Sequence, residues 1–202
     1  MKSLIVIDVQ NDFLHGGALA VPDGDSVIEV INRIMPQFDL VVATQDWHPG
    51  NHGSFASAHA GKSPFETGFL GEVAQVFWPD HCVQGTFGAK LSARLNQNPI
   101  EAIFRKGTNP LIDSYSAFFD NARKKTTGLE AYLKGLKVNE LYVAGLAGDY
   151  CVGFTALDAL ELGIPTIVIE DATRPINPIG YSETKKKIIQ KGGRILLSSQ
   201  LI

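Results

Sequence analysis

Six short apolar runs recur along the chain, separated by segments with helical spacing or turn residues. The runs cover residues 4–9, 40–44, 102–104, 141–145, 166–169 and 194–197. Because they are continuous rather than alternating, they are typical of strands covered on both faces, as in a parallel sheet. The strand–helix alternation predicts a three-layer α/β/α sandwich with a mostly parallel six-stranded sheet. A chain of 202 residues, 45% of them hydrophobic, is large enough for one globular domain spanning residues 1–202.

Several polar residues mark where the helices of this sandwich are predicted to begin. Ser26 and Thr127 are each followed three residues later by glutamate, which is the pattern of a capping box. Ser182 is predicted to open the last helix. Asp149 is predicted to be the N-cap of a helix that carries Cys151 in its first turn, where the helix dipole favours an anion such as a thiolate.

One segment, residues 46–100, breaks the alternation. It carries many glycine, proline, histidine and aromatic residues with little periodicity. Long insertions of this kind in compact domains are usually functional or disordered, and the tryptophans and histidines argue against disorder. We therefore predict an irregular insertion with a binding role.

The overall charge excludes some classes of partner. With a formal net charge of −3, the chain has no basic excess, so neither nucleic acid nor an anionic membrane is expected as a partner. Polar residues interrupt the apolar start of the chain, and no stretch has the length of a membrane span. The two cysteines, Cys82 and Cys151, suit a reducing cytoplasm better than a disulfide scaffold, although the sequence leaves a bridge between them open.

Reactive side chains follow four of the predicted strands. Asp8 follows the first, Asp46 and His48 the second, Lys106 the third, and Cys151 the fourth. Each alone is more simply read as a turn, solvated or buried residue. Because the carboxyl ends of parallel strands meet at one edge, where ligands bind, we expect the four positions to converge. An acid and an ammonium beside a thiol form the pattern of an activated nucleophile.

The histidines indicate a second centre. Asp46 and His48 are two residues apart, so on an extended segment their side chains point the same way. With His81 they would form a two-histidine, one-carboxylate metal site with open positions. His52 and Ser54 compete for a further position in this site, directly or through a water.

Five separated motifs resemble those of one known family. They are IVIDVQNDF, QDWHPGNHGSF, FWPDHCVQGT, FRKGTNPLIDSYSAFF and GLAGDYCVGFTALDA, and together they span nearly the whole chain. In this order they are similar to the nicotinamidases of the isochorismatase-like hydrolase superfamily. The resemblance implies the Rossmann-like isochorismatase-like hydrolase fold and the hydrolysis of nicotinamide to nicotinate and ammonia, through a cysteine thioester, in NAD salvage.

The resemblance also implies roles for individual residues. It implies a catalytic triad of Asp8, Lys106 and Cys151, and a divalent metal held by Asp46, His48 and His81. Ser54 takes the auxiliary, often water-linked, metal position in preference to His52. The residues that would bind the nicotinamide ring are Phe13, Leu19, Trp78, Tyr115, Leu146 and Ala147.

The segment before the cysteine carries two further expectations from the resemblance. A non-proline cis peptide is expected between Leu146 and Ala147, and the backbone N–H groups of Ala147 and Cys151 would then form an oxyanion hole. Gly148 departs from the threonine expected in many relatives. Its small size predicts a looser loop around these N–H groups.

Zinc is the metal expected at the site, with iron and manganese as alternatives. The nearest rival function is hydrolysis of a carbamoyl or ureido substrate on the same scaffold. A non-catalytic metal-binding module and a thiol redox sensor are further alternatives, weakened by the absence of a nucleotide-binding glycine motif and of a nearby resolving cysteine. The sequence leaves the oligomeric state open, a homo-oligomer included.

Overall fold

The computed structural model describes residues 1–201, and a parallel sheet forms its centre. Its strands are β1 (Lys2–Ile7), β2 (Leu40–Asp46), β3 (Thr67–Leu70), β4 (Val73–Val76), β5 (Ile100–Lys106), β6 (Glu140–Leu146), β7 (Thr166–Arg174) and β8 (Arg194–Leu196). Six of them form the main sheet in the order β5-β2-β1-β6-β7-β8, and every neighbouring pair is parallel. Each predicted apolar run lies in or overlaps one of these six strands, which confirms the predicted fold.

Four α-helices cover the two faces of the main sheet within the described residues. They are α1 (Ser26–Ile34), α2 (Leu129–Gly135), α3 (Cys151–Glu161) and α4 (Pro178–Gln190). The central strand β1 contributes to a core on each face. Leu4 and Val6 belong to the core that contains the apolar residues of α1. Ile5 and Ile7 belong to the core that contains those of α2, α3 and α4. The alternate residues of one buried strand therefore separate two helical layers, as a three-layer sandwich requires.

Both predicted capping boxes are wrong. Ser26 is the first residue of α1 rather than its cap, and its Oγ donates to the Asp23 carbonyl at 2.7 Å. Gly128, with φ of 89°, precedes α2, and Thr127 Oγ1 accepts from the N–H of Leu129 at 3.2 Å. In both places a short hydroxyl side chain bonds to nearby backbone in a turn instead of to the third residue of the helix.

The predicted starts of the last two helices are also wrong. Asn177, not Ser182, caps α4, and its side chain accepts from the N–H of Ile179. Tyr150 precedes α3 without a side-chain cap. The carboxylate of Asp149 instead accepts from the N–H groups of Ile176 and Asn177, at 2.9 and 2.8 Å. It thereby ties the loop after β7 to the loop before α3, a long-range contact that local sequence does not encode.

The insertion between β2 and β5 is ordered by pairings of its own. Strands β3 and β4 form an antiparallel hairpin separate from the main sheet, a regular element that the lack of periodicity had not predicted. Isolated bridges join His48 to Val83 and Phe55 to Trp78. These pairings hold the histidines and Trp78 of the insertion near the end of β2.

Two further expectations concern the chain as a whole. Within residues 1–201, no helix is long and apolar enough to cross a membrane. Cys82 and Cys151 are both free thiols and both are buried, so the disulfide that the sequence left open is not formed.

Candidate active site

Four side chains predicted to converge do meet at the carboxyl edge of the main sheet. Asp8 directly follows β1, Asp46 and Lys106 are the last residues of β2 and β5, and Cys151 is the first residue of α3. Asp46 and Lys106 are also paired neighbours in the β2–β5 register. The parallel sheet therefore brings together residues that are up to 143 positions apart in the chain, from 8 to 151.

The ammonium of Lys106 connects the other three groups. Its Nζ lies 2.8 Å from Asp8 Oδ2, 2.5 Å from Asp46 Oδ1 and 3.3 Å from Cys151 Sγ, and it donates to the Ser114 carbonyl at 3.1 Å. Burial alone would lower the pKa of Lys106, but Asp46 and Asp8 outweigh it and raise that pKa well above its ordinary value. The lysine therefore stays charged and offsets one of the two negative charges that Asp8 and Asp46 carry when both are ionised.

Asp8 is a buried carboxylate with the properties of a base. Its φ of 48° lies in the left-handed region, which residues other than glycine rarely adopt. Thr44 Oγ1 donates to its Oδ1 at 2.6 Å. Burial raises the pKa of Asp8 even though the charge of Lys106 opposes the change. A raised pKa makes a carboxylate a more effective proton acceptor near neutral pH.

The surroundings of Cys151 favour the protonated thiol. Its place at the start of α3 favours an anion, as the sequence suggested. Burial nevertheless raises the pKa of Cys151 well above its ordinary value, and Asp8 and Asp46 raise it further against the effect of Lys106. Oxygens of these two carboxylates and Sγ all lie within 4.8 Å of one another. The sulfur must therefore lose its proton to a base before it can act as a nucleophile.

Asp46, His48 and His81 form a buried group whose potential ligand atoms all lie within 4.8 Å of one another. The Nε2 atoms of His48 and His81 lie 3.7 and 3.8 Å from Asp46 Oδ2. Their Nδ1 atoms lie 2.9 Å from the Gly107 carbonyl and 2.8 Å from the Pro79 carbonyl. A carbonyl can only accept, so Nδ1 carries the hydrogen in each ring, and in the neutral imidazole this leaves the electron pair of Nε2 for a ligand. The donor set fits a divalent metal.

A narrow cleft opens beside the sulfur and His81. Its wall includes the predicted residues Phe13, Leu19, Trp78, Tyr115 and Ala147, together with Asp46, His81, Asp113, Tyr150, Cys151 and Ile176. The rings stand edge to face: Trp78 and Tyr150 are 4.9 Å apart between centroids. Such walls suit a flat aromatic ligand.

Three wall residues were not among the predicted ones, and one predicted residue does not line the cleft. Tyr150 precedes Cys151 in the chain, and this adjacency was a signal that could have found it. Asp113 and Ile176 come from separate loops and left no local signal. Leu146 is fully buried in the core around α1 and is absent from the cleft wall, so its side chain does not contact the cleft.

Comparison with known proteins agrees with this geometry. The family model of the isochorismatase domain matches residues 2–200. The chain belongs to the isochorismatase family. It is 53% identical to the nicotinamidase of Escherichia coli over 180 residues, which are 87% of this chain and 84% of that protein.

Two solved structures of the isochorismatase fold are similar along nearly their full length. The nicotinamidase and pyrazinamidase of Acinetobacter baumanii has a TM-score of 0.96 at 46% identity, with 100% of this chain and 98% of that chain covered. The pyrazinamidase of Pyrococcus horikoshii in complex with zinc has a TM-score of 0.79 at 36% identity, with 97% and 98% covered.

In this member of the isochorismatase family, two N–H groups beside the cleft are not used by the backbone of the described residues. The peptide between Leu146 and Ala147 is cis, as the resemblance implied. The Ala147 carbonyl accepts from the N–H groups of Tyr150 and Val152. Within residues 1–201, the N–H groups of Ala147 and Cys151 donate to no backbone acceptor. Both residues line the cleft, so these two donors are available to a ligand.

The structure gives a reason for the unusual Gly148. A Cβ at this position would lie 2.8 Å from Cε2 of Tyr181 and 3.0 Å from Cγ2 of Thr173. The ring of Tyr181, which is buried, therefore takes the space that a larger residue at position 148 would need. This packing supports the loop and argues against the looseness that glycine alone predicted.

His52 and Ser54, the two candidates for a further position in the metal site, are hydrogen-bonded to each other. Ser54 Oγ lies 2.7 Å from His52 Nδ1, and both side chains are fully buried. His52 Nε2 has no hydrogen-bond partner in the described chain. Burial, together with the neighbouring His48, lowers the pKa of His52 to about 4. His52 is therefore neutral, and its ring lies 4.3 Å from that of His48 between centroids.

Proposed function

We propose that this protein is a nicotinamidase, which hydrolyses nicotinamide to nicotinate and ammonia in NAD salvage. The observation that carries the proposal is the contact of Lys106 Nζ with both Cys151 Sγ and Asp8, next to the cleft with aromatic walls. The 53% identity to the Escherichia coli nicotinamidase supports the choice of substrate.

In the first half of the reaction, Cys151 Sγ attacks the carboxamide carbon while its proton passes to Asp8. The raised pKa of Asp8 suits it to this transfer. The N–H groups of Ala147 and Cys151 receive the negative charge that develops on the carbonyl oxygen. Lys106 remains charged throughout and contacts both carboxylates, and the three groups together are neutral while Asp8 holds the proton.

In the second half, Asp8 returns the proton to the departing nitrogen, which leaves as ammonia, and a thioester remains on Cys151. A water then attacks the thioester carbon and gives one proton to Asp8, and the C–S bond breaks to release the carboxylic acid, which loses its remaining proton to solvent as nicotinate. The proton returns to Cys151 Sγ, so every bond formed on the protein is also broken.

Asp46, His48 and His81 would hold the metal ion, which we propose to be zinc. A divalent ion there supplies positive charge that can orient the ring nitrogen or polarise a water. Zinc accepts two imidazoles and a carboxylate with a position left open, and the Pyrococcus horikoshii relative is described in complex with zinc. We propose Ser54 as an outer, water-linked contact, because His52 already occupies its Oγ.

The cytoplasm is the proposed location, since the mechanism requires a reduced Cys151. Both cysteines are free thiols, which suits a reducing compartment.

An ammonia-release assay tests the function directly. Zinc-loaded protein is incubated with nicotinamide, and ammonia and nicotinate are both quantified. The expected result is equal amounts of the two products, with a Cys151→Ala preparation as the control for contaminating amidases. Carbamoyl and ureido compounds at the same concentration should react at least about 100-fold more slowly. Faster turnover of one of these compounds would assign the enzyme to the rival substrate class.

A further inference from the structure

A buried glutamine of the β3–β4 hairpin reaches the back of two wall residues of the cleft. Gln75 lies in β4 and is 3% exposed. Its Nε2 lies 2.8 Å from Asp113 Oδ2, 3.1 Å from Tyr115 Oη and 2.7 Å from the carbonyl of Val76. Asp113 and Tyr115 line the cleft, whereas Gln75 does not. Any effect of Gln75 on a ligand must therefore pass through these two side chains.

Asp113 depends on this contact because it is a buried carboxylate with few partners. It is 3% exposed, and within residues 1–201 it takes part in no salt bridge. Its Oδ1 accepts from the N–H of Ser114 at 2.8 Å, and its Oδ2 accepts from Gln75. A buried charge is strongly destabilised when a hydrogen bond to it is removed. Loss of the Gln75 amide would therefore displace Asp113 from its present place beside His48 and His52.

Tyr115 contacts the same amide at its hydroxyl end. Its ring packs edge to face against Trp78 and Tyr150, with centroids 6.3 and 5.3 Å apart. The Nε2 of Gln75 lies 3.1 Å from its Oη, a longer contact that shares two amide hydrogens with the nearer oxygens of Asp113 and Val76. Gln75 Oε1 has no partner among the described residues. The contribution of this side chain therefore comes through its nitrogen.

We propose that Gln75 is a positioning residue that sets the affinity of the cleft for the substrate ring, an inference that rests on the proposed function. One amide nitrogen fixes a carboxylate and contacts a phenol on the same wall. The hairpin is thus a support for the binding site, although it lies outside the main sheet and touches no reacting atom.

Three variants test the proposal by steady-state kinetics. Gln75→Met keeps the length of the side chain and removes its donor, so KM for nicotinamide should rise about tenfold while kcat changes by less than about threefold. Tyr115→Phe removes one of the two contacts and should raise KM by less. Glu72→Met, an exposed position on the same hairpin, is the matched control and should leave both constants unchanged.

A pH profile distinguishes positioning from general support of the fold. In Gln75→Glu the new carboxylate can donate to Asp113 only when it is protonated, and repels Asp113 when it is ionised. The ratio of its KM to that of the wild type should therefore fall as the pH is lowered. A role confined to stability would change the melting temperature and leave this ratio independent of pH.

Hydrogen exchange provides a readout that needs no turnover. The N–H groups of Ser114 and Tyr115 bond to Asp113 Oδ1 and Asn121 Oδ1. In Gln75→Met, residues 113–116 should exchange faster, while the main-sheet strands keep the protection seen in Glu72→Met. Unchanged exchange there, or a KM within about twofold of wild type in folded Gln75→Met, overturns the proposal. If the wild type releases no ammonia from nicotinamide, the proposed function fails, and the exchange experiment still decides the role of Gln75.

Discussion

The reactive groups and the binding wall are built by two different parts of the molecule. The rim of the main sheet carries Asp8, Asp46, Lys106 and Cys151, each at the end of a strand or the start of a helix. The insertion supplies Trp78 and the two histidines of the metal site, and loops outside it supply the other aromatic rings of the wall, Phe13, Tyr115 and Tyr150. The comparison teaches that the ends of regular elements fix the chemistry, while the irregular segments between them fix what is bound. Substitutions at the rim should therefore change kcat or stability, and substitutions in the insertion or in these loops should change KM or metal content.

The largest expected effect is at the nucleophile on the rim. Cys151→Ala should lower kcat for nicotinamide by about 10⁴-fold or more, because no other group can form the thioester. The fold should survive, since alanine fits the helical start. Cys82→Ala is the matched control: Cys82 is also a buried free thiol but does not line the cleft, so this variant should keep its turnover. Equal losses in the two variants would contradict a specific role for Cys151.

The next effect tests whether the rim also supports the fold. Lys106→Met leaves Asp8 and Asp46 as buried carboxylates without their shared cation, at a cost of about 3–5 kcal/mol in the free energy of unfolding. Urea denaturation of metal-free protein measures it. Lys134→Met removes an exposed pair with Glu130 and should cost less than about 0.5 kcal/mol. Equal stability of the two variants would show that the buried cation is not required for folding.

A third substitution moves the test to the insertion. His81→Ala should weaken metal binding by about 10–100-fold or more, because it removes one of three proposed ligands. The metal content after dialysis against a weak chelator measures this without reference to activity. His15→Ala changes an exposed histidine outside the group and should keep the full metal content. Equal metal content in the wild type and in His81→Ala would show that His81 is not a metal ligand.

The division between the rim of the main sheet and the irregular binding segments also explains what the sequence could predict. Continuous apolar runs located the six strands, and the strand ends then located Asp8, Asp46, Lys106 and Cys151. The position of each strand end depends on nearby residues, so local sequence was sufficient. Assigning roles to the wall residues required the resemblance to a family, because nothing in the spacing of Phe13 or Trp78 points to a cleft.

Contacts between distant segments account for what sequence reasoning missed. The predicted helix caps were wrong because Ser26 and Asp149 bond to loop backbone, and because Thr127 accepts from the first residue of α2 instead of the third. Which backbone group a side chain meets depends on the fold. The pKa of Cys151 follows burial and two carboxylates from other strands rather than the local helix dipole. The pairing of Gln75 with Asp113 joins residues 38 positions apart.

The smallest expected effect is on KM, in a variant of the cleft wall. Phe13 lies in a short turn after β1 but faces the cleft, with its ring 5.5 Å from that of His81 between centroids. Phe13→Leu keeps an apolar side chain and loses the flat ring surface, worth about 1 kcal/mol, so KM should rise roughly fivefold. Phe87→Leu, on an exposed ring of the insertion, is the matched control and should not change KM. A change in kcat without a change in KM at Phe13 would mean that the wall takes part in the chemistry, and the division between a reactive rim and a binding wall would fail.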